Sequence, residues 1–91
     1  MLEIVLYARP GCHLCVEART TVDAILAERR QAGLAAPPIV ERDISTDPGL
    51  ERAFFAEIPV VEVGDRRLTL AVSPRGLRRF LDDVLGPVLA G

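Results

Sequence analysis

Two cysteines, Cys12 and Cys15, lie in one short segment, Gly11-Cys12-His13-Leu14-Cys15, of a chain of 91 residues. Two thiols at this spacing can exchange with an external disulfide. One attacks as a thiolate, and the other displaces the product from the mixed disulfide. Location matters as much as spacing. Arg9-Pro10-Gly11 ends an apolar run, and helical periodicity begins at about Cys12. The motif therefore falls where a strand gives way to a helix. The first N–H groups of a helix lack intrahelical partners, and its N-terminus carries partial positive charge; both favour a thiolate. A free cysteine has a pKa of about 8.5, and C-x-x-C cysteines at helix starts fall to about 3.5–7.5. Cys12 is thus expected to be the exposed nucleophile. Cys15, one turn in on the apolar face, is expected to be the resolving thiol.

Other readings of the same residues compete with this one. Two inert, buried small residues would be a structural use of cysteine, which Cys12 fits poorly between Gly11 and His13. A disulfide closing so short a loop restricts the unfolded chain little, so stability is a weak reason for it. A closed zinc site needs about four ligands, and one C-x-x-C with a neighbouring His does not supply them. No metal site is expected within one chain, while a metal or cluster shared by two chains through Cys12 is the alternative. His13, when protonated, can favour the Cys12 thiolate; the plainer reading is a polar residue that only shapes the surface. Arg9 can attract the thiolate or an anionic substrate, or be a solvated loop charge; a modest electrostatic role is expected.

The elements that must position these residues follow from the pattern. Residues 2–7 are apolar on both faces except Glu3, as in a strand covered above and below. From Cys12 to Arg30, Cys15, Ala18, Val22, Ile25 and Leu26 share one helical face. Gly33 and Pro37-Pro38 end that helix. Residues 39–44 form a second, more polar strand suited to an edge. Asp47-Pro48 caps a short helix over about Gly49 to Ala56. Pro59 to Val63 is a third strand, Gly64-Asp65 a two-residue hairpin turn, and Arg67 to Val72 a fourth strand. Ser73-Pro74 starts the last helix, and Gly86-Pro87 stops it. The order β-α-β-α-β-β-α predicts an α/β domain spanning 1–91. The first two strands are parallel, the last two antiparallel, and helices cover both faces of a mixed four-stranded sheet.

Bulk properties narrow the function. Hydrophobic residues are 49% and charged residues 26% of the chain, close to the globular norm. A net charge of -2 leaves no basic excess for nucleic acid. The start of the chain has no positive segment ahead of its apolar run, and no window is long enough to cross a bilayer. A cytoplasmic location without membrane contact, and a monomer, are expected. In a reducing compartment a lone C-x-x-C reads as redox-active or metal-binding before it reads as a staple.

From Leu6-Tyr7-Ala8-Arg9-Pro10-Gly11-Cys12-His13-Leu14-Cys15 and the element order, the whole chain resembles a glutaredoxin-like protein of the thioredoxin fold. His13-Leu14 between the cysteines is similar to the small bacterial glutaredoxin-like branch. The resemblance implies a thiol–disulfide oxidoreductase with Cys12 as nucleophile and Cys15 as resolving thiol. Its partners would be a disulfide-bearing protein or small molecule, with glutathione or a reductase as electron donor. Ile58-Pro59 matches the residue before, and at, the cis-proline of that fold, although X–Pro bonds in general favour trans. The cis bond would leave Ile58 backbone groups open to pair with substrate or glutathione as a short added strand. One segment departs from the family. Where glutaredoxins carry Gly-Gly and acidic residues that hold glutathione, this chain has Leu70-Ala71-Val72-Ser73-Pro74-Arg75. No tightly bound cofactor is expected. The alternative function is a dimer holding an iron–sulfur cluster or metal through Cys12. A third is an adaptor that keeps the fold and binds through its surface.

Overall fold

A computed structural model describes residues 2–87. Strand β1 (Ile4–Ala8) is buried along its whole length, as its two-sided apolar sequence requires. Helix α1 (His13–Gln31) follows, then β2 (Ile39–Asp43), a short 3-10 turn (Ile44–Thr46) and helix α2 (Pro48–Phe54). A hairpin of β3 (Val60–Val63) and β4 (Arg66–Leu68) leads to helix α3 (Pro74–Leu85). The sheet order is β2-β1-β3-β4, with β1 parallel to β2 and antiparallel to β3, and with β4 antiparallel to β3. The edges are therefore β2, whose more polar sequence suited that place, and β4.

Side-chain alternation along β1 divides the core. Ile4 and Leu6 pack with Val22, Ile25, Leu77 and Leu81 of α1 and α3. Val5 and Tyr7 pack on the other face with Ile44, Phe54 and Val60, beneath α2. Fully burying each such aliphatic side chain contributes roughly 1.5–3 kcal/mol.

Turn chemistry explains where the elements stop. Gly64 has φ 60 while Asp65 does not turn positive, the pattern of a two-residue hairpin with glycine at its first central position. At the end of α1, the Gly33 N–H donates to Arg30 O at 3.1 Å and the Leu34 N–H to Arg29 O at 2.8 Å. With Gly33 at φ 74 this is a Schellman cap. Arg29 seals the same end. It is only 5% exposed and donates to Ala35 O at 2.6 Å, Gly86 O at 2.6 Å and Asp82 Oδ1 at 3.1 Å. A buried guanidinium is tolerable only when so paired, and here it ties the ends of α1 and α3 together.

Among the boundaries that differ from the expected ones, two show their cause. The second strand ends at Asp43, not Ile44, because the Asp43 carboxylate accepts from the Ser45 N–H at 2.9 Å and turns the chain. The fourth strand ends at Leu68, not Val72. Leu70 lies at φ 48, the one described non-glycine residue at positive φ. Residues 70 and 71 instead bond to the segment before β3: the Leu70 N–H donates to Glu57 O and the Ala71 N–H to Pro59 O, both at 2.8 Å. Leu70 and Val72 are exposed, so their alternation with Leu68 does not mark a longer ladder.

Candidate active site

Pro10 and Gly11 build the approach to Cys12. Pro10 fixes φ for the first central position of a turn, and Gly11 supplies φ 80 at the second. The turn closes with the Cys12 N–H donating to Arg9 O at 3.3 Å. It delivers Cys12 in extended backbone (φ -89, ψ 101) to the N-cap of α1, not to its first turn. The Cys12 sulfur accepts the Cys15 N–H at 3.1 Å, and Cys12 O accepts the N–H groups of Cys15 and Val16. An N-cap normally offers a hydroxyl or carboxylate to these donors; here a sulfur takes that place. The first turn of α1 contains no carboxylate, so no side chain there offsets the positive helix end at Cys12.

Cys12 and Cys15 are joined as a disulfide, with Cα atoms 5.2 Å apart. Cys12 is half-buried at the helix end, and Cys15 is 3% exposed among core residues. One cysteine is partly open to solvent and the other is buried.

The remaining sequence-selected residues divide. Pro59 is buried, and its bond to Ile58 is cis. Tyr7 pairs with Val60 across the sheet, so Pro59, one residue earlier, lies beside the end of β1 and the turn that carries Cys12. Ile58 is half open: its N–H donates to Phe54 O at 3.1 Å, while its carbonyl has no backbone partner among the described residues. The expectation that both backbone groups are free is corrected to the carbonyl alone, because the end of α2 takes the N–H. His13 is the first residue of α1 and is exposed, and its ring makes no hydrogen bond among the described residues. Arg9 is not a free charge. Its guanidinium is paired with Glu51 of α2. Glu51 lies 42 residues away on another element, and in the sequence only its opposite charge hints at the pairing.

On the far face of the sheet a second polar group sits beneath α2. The Tyr7 hydroxyl donates to Glu62 at 2.9 Å, and its ring lies 4.7 Å from that of Phe54. Burial pushes the Tyr7 pKa up, and the bond to Glu62 adds to this. Burial works to raise Glu62 as well, but hydrogen bonds from Arg67 and Tyr7 outweigh it and hold the carboxyl below its ordinary value. Among the described residues, no three His, Cys, Asp or Glu side chains gather to hold a metal ion. No described helix is long and apolar enough to cross a membrane.

A family model described as a glutaredoxin-like domain matches residues 3–83. The chain belongs to the glutaredoxin-like family. Within this glutaredoxin-like chain, the matched span contains both cysteines, Pro59 and nearly all of α3. Solved structures agree in fold. The structural-genomics target protein XcR50 from X. campestris is 28% identical, with TM-score 0.67 over 88% of this chain and 96% of its own. A structure described as a malarial protein is 15% identical, with TM-score 0.63 over 91% of this chain and 96% of its own. The germline-specific thioredoxin Deadhead from Drosophila melanogaster is 18% identical, with TM-score 0.61 over 91% of this chain and 80% of its own. The fold is thus thioredoxin-like, and the family with its close cysteine pair fits a redox role. No curated protein matches the chain.

Proposed function

We propose that the protein is a dithiol–disulfide oxidoreductase in which Cys12 attacks and Cys15 resolves. The observation that carries this reading is the contrast between the two sulfurs. Cys12 caps a helix N-terminus, half-buried and within 3.1 Å of a backbone donor, while its partner Cys15 is buried directly behind it.

The steps balance as a two-electron exchange. The Cys12 thiolate attacks one sulfur of a substrate disulfide and forms a mixed disulfide. The other substrate sulfur leaves as a thiolate and takes a proton from solvent. The Cys15 thiol loses its proton, attacks the Cys12 sulfur, and expels the second substrate thiolate. The substrate is reduced, and the Cys12–Cys15 disulfide holds the oxidation. An external thiol, glutathione or a reductase, returns the pair to the dithiol. Arg9, His13, Ile58 and Pro59 border the site on the substrate side. The Ile58 carbonyl is the acceptor left for one hydrogen bond from an extended substrate. The partner is a disulfide-bearing protein or small molecule, and the setting a reducing one such as the cytoplasm.

The test is a disulfide-reduction assay on an insulin-type substrate together with alkylation of the reduced protein. The expected result is turnover above free dithiol, lost in Cys12→Ser, with Cys12 titrating below a free thiol. Turnover no faster than free dithiol, or a Cys12 pKa at or above about 8.5, contradicts the reading. Anaerobic purification tests the cluster-binding alternative: a colourless, iron-free monomer removes it.

A further inference from the structure

Arg9 meets Cys12 by two routes. Its carbonyl accepts the Cys12 N–H at 3.3 Å and so helps place the sulfur. Its side chain carries the positive charge nearest to that sulfur along the chain. The guanidinium is paired with Glu51 of α2. Arg9 is also felt at the end of β2. The Asp43 carboxyl is held below its ordinary range chiefly by hydrogen bonds from Ser45, and the charge of Arg9 adds to this. Both charges of the Arg9–Glu51 pair are more than a third exposed, so the pair is worth about 0–1 kcal/mol, and its stability contribution is a poor reason to keep it. Glu51 moreover uses one oxygen only. Its Oε2 is buried and accepts nothing among the described residues. A buried acceptor left without a donor is uncommon in native proteins and calls for a reason.

We propose that Glu51 is a positioning residue for Cys12: by holding Arg9 against α2 it withholds that cation from the sulfur. Cys12 then forms less thiolate than the helix terminus and a released Arg9 would give together. Because a stabilised thiolate stabilises the reduced protein, Glu51 also keeps the dithiol less oxidising. The inference rests on Cys12 being the nucleophile. The titratable groups of the neighbouring segments, His13 on α1, Asp43 at the end of β2 and Glu57 before Ile58, are the same in every variant compared below.

The test follows the alkylation rate of Cys12 against pH in the reduced full chain, with mass detection of the labelled cysteine. It compares wild type, Glu51→Gln, Arg9→Gln and the double variant. Simple removal of a negative charge acts alike with or without Arg9, whereas release of Arg9 requires Arg9. The expected result is a thiolate-to-thiol ratio at fixed pH raised roughly threefold to tenfold by E51Q in wild type. The rise should be less than twofold in the R9Q background. Glu51→Ala carries the same expectation and serves if E51Q melts below the assay temperature. No rise in E51Q or E51A, or an equal rise in both backgrounds, overturns the proposal. Either result leaves the assignment of Cys12 untouched. A wild-type Cys12 that titrates like a free thiol instead overturns that assignment.

Discussion

The two ends of α1 are built to opposite purposes. At the C-terminal end, Gly33 and Leu34 return their N–H groups to the last turn, and the buried Arg29 satisfies Ala35 O and Gly86 O. At the N-terminal end, a half-buried cysteine occupies the cap, and no carboxylate sits in the first turn. One end is closed by strong, redundant bonds. The other leaves its donors to a weak acceptor that can gain and lose charge. Stability and reactivity are thus placed about 19 residues apart on one rigid element. A site on a helix terminus keeps its geometry because the remainder of the helix is fixed.

The largest effect that sharpens this contrast is at the open end. Cys12→Ser removes the nucleophile and should bring disulfide reduction down to the rate of free dithiol, while the thermal midpoint stays within a few degrees in the reduced state. Next is the closed end. Arg29→Met strips donors from two carbonyls and should cost about 2–3 kcal/mol in denaturant unfolding. The Cys12 alkylation profile of the folded protein should not move. A smaller and matched pair compares both ends with one chemical change. Gly11→Ala and Gly33→Ala each place a Cβ on a backbone at φ 80 or φ 74, with no neighbour within 4 Å. The penalty is therefore backbone strain alone, about 1–2 kcal/mol in each. Only G11A should also change the rate of Cys12 alkylation, because only that turn delivers the sulfur. If G33A changes it equally, the two ends are not independent.

The smallest effect lies off this axis. The folded state holds the Glu62 carboxyl below its ordinary value of 4.5. Its contribution is complete above that value and is lost as pH falls through the lowered pKa. Acid unfolding of Glu62→Gln should lack that component and differ from wild type by no more than about 1 kcal/mol. An acid limb as steep in E62Q as in wild type removes Glu62 from the account.

What could be read from the sequence was the part fixed by neighbours in the chain. Pro10-Gly11 specifies a turn, Asp47-Pro48 and Ser73-Pro74 specify helix starts, and the apolar period places Cys15 inward. The parallel pairing of the first two strands followed from the length of their connection. The features that escaped are pairings across the fold. Nothing near Arg9 points to Glu51, nothing near Arg29 points to Gly86, and the alternation at Leu70 and Val72 imitates a strand. The Ile58 N–H was expected to be free because its partner, Phe54 O, depends on how α2 ends. Local physics thus located the cysteines, while the charges around them depended on contacts that only the folded chain makes.

Trapping probes the division of labour between Cys12 and Cys15. Reduced Cys15→Ser protein is mixed with a disulfide substrate, quenched with acid, and mapped by mass. A mixed disulfide should accumulate at Cys12, which wild type clears by forming the Cys12–Cys15 bond. A Cys15→Ser protein that gathers no adduct, or a Cys12→Ser protein that gathers one at Cys15 as fast, would contradict it.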